Sequence, residues 1–366
     1  MPRDTKIYNT IKTTIGERGE KPLKPKIPPL FLIILITITC VVTLTPAQAS
    51  PTPALTVTTD KPAYYPKENV TTYGNLTQDG APVPDGLVAI EVKDPKDQTL
   101  VIRTTTTGDA PPETPYVKVR SVIPCDSTGG PKDSFKRGLQ AWFNLTITNY
   151  DIQPRNVCLT VNIYDSSGTP RGYDSILVPN MAGPSTSYAI LCVLIPEEAA
   201  LGNATVYGNV YTRWPSLGGW PYCTEESSTF LITNGGSSSF TTTTALKQKT
   251  EFSTTMQFNG NYNNTFKLPP RAAAGNYIIY VTTRYLGEEA SSNTTFKVIL
   301  IADFDGDGDV DGWDGIYFVD AYVDYWTPPV GEVTDPDYWR CDLDGDGDVD
   351  GWDGIAFVDA FVEYWI

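Results

Sequence analysis

The sequence predicts a mainly β protein that ends in a small α-helical module. From about residue 50 to residue 300, short runs rich in Val, Ile, Thr and Tyr alternate with Gly, Pro, Asn and Asp turns. This alternation is typical of β-sandwiches. The same region has no convincing helical pattern. After residue 300, one aspartate-rich segment occurs twice, and each copy leads into an amphipathic helical pattern.

The outer part of the β region contains two groups of strand-like runs. Four runs precede residue 110 and three follow residue 260, so neither group alone closes a sandwich. Together they supply the seven strands of an immunoglobulin-like domain. The runs are 55–59, 69–77, 86–93, 99–106, 262–268, 276–283 and 293–298.

The stretch between these groups forms a second complete set of seven runs. We therefore predict that a sandwich of residues 113–234 is inserted into one formed by residues 50–112 and 255–300. Tandem order with a truncated third domain is the alternative. The Pro-rich residues 110–115 and the Ser/Thr-rich residues 235–254 are the expected linkers. The inner runs are 116–122, 139–148, 157–164, 173–178, 187–195, 204–212 and 227–233.

The aspartate-rich repeat has the spacing of a calcium-binding loop. A twelve-residue loop starts at Asp303 and recurs 39 residues later at Asp342. Carboxylates fall at positions 1, 3, 5, 9 and 12, with Gly at position 6. This is the EF-hand order, in which position 7 coordinates through its backbone carbonyl and Gly 6 allows a sharp turn. The sequence therefore predicts two Ca²⁺ sites, whose ligands are Asp303, Asp305, Asp307, Asp309, Asp311 and Asp314, and Asp342, Asp344, Asp346, Asp348, Asp350 and Asp353.

A helix is predicted after each loop, and no helical pattern precedes either loop. The apolar residues at i, i+3, i+7 and i+10 are Ile316, Val319, Val323 and Trp326 in the first copy, and Ile355, Val358, Val362 and Trp365 in the second. With its two loop-plus-helix units, the segment 302–366 resembles a dockerin, a duplicated calcium module that docks onto a cohesin protein. The resemblance implies a calcium-dependent docking function.

Two features depart from the dockerin pattern. Dockerin repeats usually follow one another more closely than the 39-residue offset here. Positions 10 and 11, which carry partner recognition in dockerins, are Gly312-Trp313 and Gly351-Trp352 rather than small hydroxyl residues. The resemblance implies that these four residues face the partner. The alternative is that both indoles pack between the helices in a shared core.

The charge distribution separates the C-terminal module from the rest of the chain. Residues 302–366 hold 19 of the 43 acidic residues and a single base, Arg340, which gives a net charge of −18. The remainder is nearly neutral and contains no basic patch, so a nucleic-acid partner is not expected.

The N-terminus predicts export from the cytoplasm. Seven basic residues precede an apolar run over 29–44, and Ala47-Gln48-Ala49 follows it. This order indicates a secretory signal peptide over residues 1–49, with an uncleaved membrane anchor as the alternative. We expect a secreted or cell-surface protein without a membrane segment after cleavage. Six candidate N-glycosylation sequons are consistent with export: Asn69, Asn75, Asn144, Asn203, Asn263 and Asn293.

Five cysteines remain after the signal segment, and none forms a C-x-x-C motif, so a zinc site is not expected. In an oxidising compartment, two disulfide bonds are the default for the first four. We predict Cys125–Cys223 and Cys158–Cys192. Cys341 is left over.

The sequence contains little that indicates an enzyme. It has no histidine, which removes Ser-His-Asp and Cys-His catalysis, and no nucleotide-binding motif appears. A two-carboxylate glycosidase needs only Asp or Glu, but the acids of the β region lie in or beside exposed-looking turns. Aromatic residues cluster at Tyr211, Trp214, Trp220 and Tyr222, either as a carbohydrate platform or as packing over one sandwich end.

Residues 58–71 resemble the opening of macroglobulin-type β-sandwiches, and 144–150 with 203–212 resemble the CARDB type. Both resemblances imply spacer or adhesion modules of secreted and archaeal-type surface proteins. The first functional hypothesis is therefore a non-enzymatic spacer or adhesin that docks through its calcium module. A calcium-stapled, self-associating subunit of a surface layer or fibre is the second. A carbohydrate-binding component of a polysaccharide-degrading complex is the third.

Overall fold

The computed structural model describes residues 52–108, 115–234, 259–327, 330–331 and 333–365. Over these residues the chain is mainly β, as predicted, with eighteen strands and two α-helices. The expected signal peptide and most of both expected linkers lie outside the described residues. No described helix is long and apolar enough to cross a membrane.

The first sandwich uses strands from both sides of residues 115–234. One sheet has the order β1-β4-β16, with β2 and β5 also paired to β4, and the other has the order β3-β18-β17-β6-β7. The pairing of β4 with β16 sets Asn69 opposite Lys267 and Asn75 opposite Asn261. The strands are β1 (Pro53–Leu55), β2 (Thr58–Thr59), β3 (Ala63–Tyr64), β4 (Asn69–Gln78), β5 (Ala81–Pro82), β6 (Leu87–Lys93), β7 (Thr99–Thr106), β16 (Asn261–Lys267), β17 (Gly275–Tyr285) and β18 (Glu288–Val298).

The second sandwich is built only from residues between β7 and β16. Its sheets have the orders β13-β10-β8 and β12-β11-β14-β15-β9. Phe143 and Leu145 from the first of these sheets pack with Val161, Val206 and Phe230 from the second. The strands are β8 (Val117–Cys125), β9 (Ser134–Lys136), β10 (Gln140–Asn149), β11 (Arg155–Tyr164), β12 (Pro170–Met181), β13 (Ser185–Leu194), β14 (Gly202–Tyr211) and β15 (Glu226–Thr233).

The outer face of β11 and β14 packs against the first sandwich. Ala89 and Ile102 from the first sandwich form an apolar cluster with Cys158 and Tyr211 from the second. The Asn162 side-chain oxygen accepts a hydrogen bond of 3.2 Å from the Ile102 backbone N–H. β11 is therefore buried on both faces, which explains its nearly continuous run of buried residues.

The joint also contains a charged pair. The Arg103 guanidinium lies 2.5 Å from the Glu225 carboxylate, and both side chains are more than four-fifths buried. The same guanidinium lies 3.4 Å from the centre of the Tyr207 ring. Because each charge is neutralised and hydrogen-bonded, this polar contact is compatible with a buried joint.

The predicted disulfide bonds are wrong, because all five described cysteines are free thiols. Cys158 packs against residues of the first sandwich, whereas Cys192 belongs to β13 of the opposite sheet. Cys223 belongs to the core between the sheets, where its sulfur accepts the Val119 N–H at 3.4 Å. Cys125 lies opposite Trp142 on β10. The Trp142 side chain lies on the outer face of this strand, because its neighbours Ala141 and Phe143 point inward. The proposed partners thus occupy different layers of the sandwich.

Two helices follow the sandwiches: α1 (Gly312–Trp326) and α2 (Gly351–Trp365). The helix predicted after each loop is present, and it begins earlier than predicted, at position 10 of the loop. A short 3₁₀-helix over Pro336–Cys341 enters the second loop, which the apolar pattern did not predict. The module contacts the first sandwich, where Ala274 packs against its core and Arg271 Nη2 donates to the Trp365 carbonyl at 2.8 Å.

Candidate metal centres and docking surface

The first loop and the start of α1 form a single hydrogen-bonded unit. Asp311 is the N-cap of α1, and its carboxylate accepts the Trp313 N–H. Asp314 completes a capping box, because its Oδ2 accepts the Asp311 N–H at 2.7 Å. Asp314 Oδ1 accepts the Phe304 N–H at 2.6 Å. One buried carboxylate therefore connects the entry of the loop to the helix that leaves it.

The second loop repeats these contacts. Asp353 Oδ1 accepts the Leu343 N–H at 2.6 Å, and its Oδ2 accepts the Asp350 N–H at 2.7 Å. Gly308 and Gly347, at position 6 of the two loops, have φ angles of 101° and 96°. These left-handed values meet the expectation that this position needs glycine.

Each loop brings its carboxylates together in two overlapping groups that could hold a metal ion. Ligand oxygens within each group lie within 4.8 Å of one another. Position 12 belongs to both groups, whereas the position 5 side chains, Asp307 and Asp346, belong to neither. The groups are Asp303, Asp305 and Asp314; Asp309, Asp311 and Asp314; Asp342, Asp344 and Asp353; and Asp348, Asp350 and Asp353.

The position 7 side chains lie closer to the candidate sites than the sequence predicts. Asp309 and Asp348 were expected to contribute only backbone carbonyls, yet each carboxylate is a member of a group. In both residues Oδ1 is buried and has no hydrogen-bond partner. A buried carboxylate oxygen without a donor is costly. The same orphaned atom in both loops fits a bound cation.

Electrostatic repulsion between the carboxylates of each loop also favours a bound cation. Partial burial, together with neighbouring carboxylates, raises the pKa of Asp303 and Asp309 in the first loop. The same causes raise the pKa of Asp344 and Asp348 in the second loop. A cation bound among these carboxylates neutralises their charge, which offsets both the cost of burial and the mutual repulsion.

The two halves of the module share one aromatic core. The Phe318 and Phe357 rings are parallel, with centroids 6.1 Å apart. Gly315 and Gly354 lie beside this stack: a Cβ on Gly315 would lie 3.4 Å from Phe357, and one on Gly354 would lie 3.3 Å from Phe318. Alanine at either position therefore needs at most a small shift of the facing ring.

Two further contacts connect the halves and could not be predicted from the ligand spacing. Arg340, the only base in the module, donates to the Phe304 carbonyl at 2.8 Å and the Asp303 carbonyl at 2.7 Å. The C-terminal tryptophan of each helix donates to a carbonyl in the opposite loop. The two loops are therefore parts of a single structure.

The apolar stripes that predicted the helices are exposed. Val319 and Val358 are 55% and 54% exposed, while the shared core uses other helix residues, such as Phe318, Ala321 and Phe357. Trp313 and Trp352 are 65% and 67% exposed, which excludes the alternative that both indoles pack in a shared core. Gly312 and Gly351 are exposed beside them.

The predicted sequons differ in accessibility. Asn75 and Asn144 are half-buried, and the Asn75 amide donates to Asn261 Oδ1 at 2.9 Å. Asn69, Asn203, Asn263 and Asn293 are exposed on strands. These four could accept a glycan without rearrangement of the sheet.

The predicted aromatic cluster is divided between two environments. Tyr211 is fully buried, and Trp214 packs beside it at the sandwich joint. Trp220 and Tyr222 instead line a surface cleft. The cluster is therefore no single flat platform.

Comparisons with known proteins identify no family. No family model and no curated protein match the chain. Among solved structures, 35% of this chain aligns with 85% of the C-terminal domain of wzt, at 13% identity and a TM-score of 0.28. It is similar over 33% of its length to 31% of the Pseudomonas fluorescens alkylpurine DNA glycosylase AlkC, with 11% identity and a TM-score of 0.23. A β-glucosidase from Erythrobacter marinus matches 32% of this chain over 15% of its own, with 8% identity and a TM-score of 0.23. At these scores the similarities carry no functional argument.

Proposed function

We propose that residues 302–366 bind two calcium ions and, once ordered by them, dock this protein onto a partner protein. The β-sandwiches then act as a non-enzymatic spacer or adhesion unit of a secreted or cell-surface protein. The observation that carries this proposal is the convergence of carboxylates on Asp314 in the first loop and on Asp353 in the second, with the same capping hydrogen bond in both loops.

Calcium is the cation that best suits these sites. The candidate ligands are all oxygens, as hard cations prefer, and calcium accepts six to eight of them in a flexible arrangement. The twelve-residue loop with glycine at position 6 also has calcium-loop spacing. Outside the cell, millimolar calcium suffices for loops of modest affinity, and export agrees with the N-terminal segment and the exposed sequons.

The exposed stripes supply the docking surface. Large apolar residues on α1 and α2 remain uncovered, with Trp313 and Trp352 on the preceding turn of the same helix faces. Exposed Asp320 and Asp359 lie beside the stripes. A complementary partner therefore has an apolar patch rimmed by Lys or Arg, which suits a cohesin-like protein. With two Ca²⁺ bound, the −18 of these residues becomes −14, so a second copy of the same module is still repelled.

Calcium titration of the purified protein tests the metal part. We expect two binding events by calorimetry, with a gain of helical circular dichroism. The paired variant Asp314→Ala and Asp353→Ala should abolish both. Unchanged heat and helicity in that variant would exclude these loops as the sites. Magnesium at the same concentration is the control for generic divalent binding.

A second measurement tests docking. Purified cohesin domains should bind in calcium and dissociate in chelator, and Val319→Lys with Val358→Lys should abolish binding while calcium-induced helicity remains. Val330→Lys, at an exposed valine outside both helices and both loops, is the matched control for added charge. Light scattering gives the alternative outcome: calcium-dependent oligomers that the valine variants dissociate would favour self-association instead.

A further inference from the structure

We propose that a cleft where the two sandwiches meet binds a neutral oligosaccharide. Two neighbouring cavities of about 330 and 400 Å³ share Trp220 and Tyr222 in their linings. These volumes are within the range of small-molecule sites, which occur preferentially at domain interfaces.

Both sandwiches contribute walls to this cleft. Asp85, Arg284 and the turn at Leu286 and Gly287 come from the first sandwich, and Tyr116 comes from the second. Leu286 and Gly287 have φ angles of 49° and 92°, which reverse the chain tightly between β17 and β18. Leu286 is 59% exposed and Tyr116 is 47% exposed, so apolar surface is available to a ligand.

The central tryptophan is held in place before any ligand arrives. Trp220 Nε1 donates to Glu289 Oε1 at 2.8 Å, and the Arg284 guanidinium lies 4.8 Å from the ring centre. Tyr222 contacts the indole edge-on at 4.9 Å, and its hydroxyl donates to the Asn156 carbonyl at 3.0 Å. A site fixed in this way loses little conformational entropy on binding.

An acceptor in the cleft lacks a partner. Asp85 Oδ1 is buried and makes no hydrogen bond. A buried carboxylate oxygen without a donor carries a desolvation penalty. Because this oxygen is closed to solvent, a ligand O–H reaches it with a small shift of the cleft wall, and the new hydrogen bond removes that penalty. This atom points to a ligand with hydrogen-bond donors rather than a purely apolar one.

The charges around the cleft favour an uncharged ligand. Arg284, Arg155 and Arg213 line the two cavities together with Asp85 and Glu289, and Asp151 is ion-paired to Arg155. The three positive charges thus meet three negative ones, which favours neither an anion nor a cation. Sugar hydroxyls both donate and accept hydrogen bonds, so they satisfy carboxylates and guanidiniums together. Their C–H faces suit the exposed apolar surface that Tyr116 and Leu286 offer.

Binding of neutral hexasaccharides to the purified protein tests this inference. We expect at least one of cellohexaose, maltohexaose, laminarihexaose and chitohexaose to bind saturably in calorimetry and saturation-transfer NMR. Asp85→Asn, which keeps the size of the side chain, should weaken binding about tenfold. Trp220→Ala should abolish it, with thermal unfolding as the check on folding. Tyr188→Ala, at an exposed aromatic elsewhere in the second sandwich, should have no effect.

Binding should persist in chelator, because no aspartate of the calcium loops lines the cleft. This separates the inference from the docking proposal, and either can fail alone. Absence of binding to all four sugars at millimolar concentration would overturn it. So would equal binding by the Asp85 variant, or a preference for oligogalacturonate over neutral sugars.

Discussion

Trp326, at the end of α1, donates its indole N–H to the backbone carbonyl of Val349 in the second loop at 2.9 Å. The reciprocal bond runs from Trp365 to Val310 in the first loop at 2.7 Å. Both valines occupy position 8 of their loops and are buried. Because each helix ends on the opposite loop, we expect that ordering one candidate metal site stabilises the other.

The first prediction concerns these two hydrogen bonds between each helix and the opposite loop. Trp326→Phe removes the N–H donor but keeps an aromatic ring, and a net hydrogen bond is worth about 1 kcal/mol. We expect calcium affinity at the second loop to fall about fivefold, measured by calorimetry. Trp313→Phe, at an exposed indole outside the core, is the control and should bind calcium normally. Equal affinities in both variants would show that the cross-loop bond does not couple the sites.

The second prediction ranks the loop carboxylates. Asp314 belongs to both groups of the first loop and Asp309 to only one. Asp314→Asn should therefore abolish binding at this loop, whereas Asp309→Asn should weaken it by a smaller but measurable factor. Asp320→Asn, at an exposed helical acid, should change nothing. If calorimetry finds Asp309→Asn identical to wild type, position 7 contributes only its carbonyl.

The third prediction concerns the joint between the sandwiches. Arg103→Met leaves the Glu225 carboxylate mostly buried without its partner, which costs about 3 kcal/mol. We expect scanning calorimetry to show two separated transitions where the wild type shows coupled unfolding of the sandwiches. Arg120→Ala, at an exposed arginine of the second sandwich, should unfold like the wild type. A single unshifted transition in Arg103→Met would mean that the ion pair does not couple them.

The fourth prediction is a pH dependence carried by Asp165. Burial acts to raise its pKa, but hydrogen bonds from Ser167 and the Ala200 N–H and the ion pair with Arg171 outweigh burial and lower the pKa. A lowered folded-state pKa contributes stability above the unfolded value of 3.8 that is lost as the pH falls through the folded value.

Denaturant unfolding across acid and neutral pH checks this sign. Asp165→Asn should be less stable than wild type at neutral pH, and the difference should shrink on acidification. Asp133→Asn, at an exposed acid of the same sandwich, should follow the wild-type curve. A difference that grows on acidification would contradict the assignment.

Much of the fold could be predicted from local pattern. Thirteen of the fourteen predicted runs each overlap one strand, and the run 55–59 is divided between β1 and β2. Alternation and turn residues predict strands because they are local properties of the chain. The strands that the sequence analysis missed, β3, β5 and β9, have only two or three residues each. Such short segments form because a neighbouring strand offers free hydrogen-bonding groups, which no local pattern reveals.

Other features depend on contacts between distant residues. Compartment and position along the chain predict two disulfide bonds, but a disulfide needs two side chains in one place, and these cysteines lie in different layers. The exposed stripe on α1 illustrates the same limit. Periodicity correctly predicted a helix, yet Phe318 and Ala321 cover the core while Val319 faces solvent.

The sequence by itself determined the mainly β class, the position of two aspartate loops and the helix after each. These follow from residue spacing, because backbone geometry is set over a few neighbouring residues. Only the tertiary structure decided which carboxylates converge, where Trp326 and Trp365 bond, and that Asp85 and Trp220 from separate sandwiches share a cleft. Such groups meet only after strands and helices far apart in the chain have packed, and the energy that holds them comes from that packing.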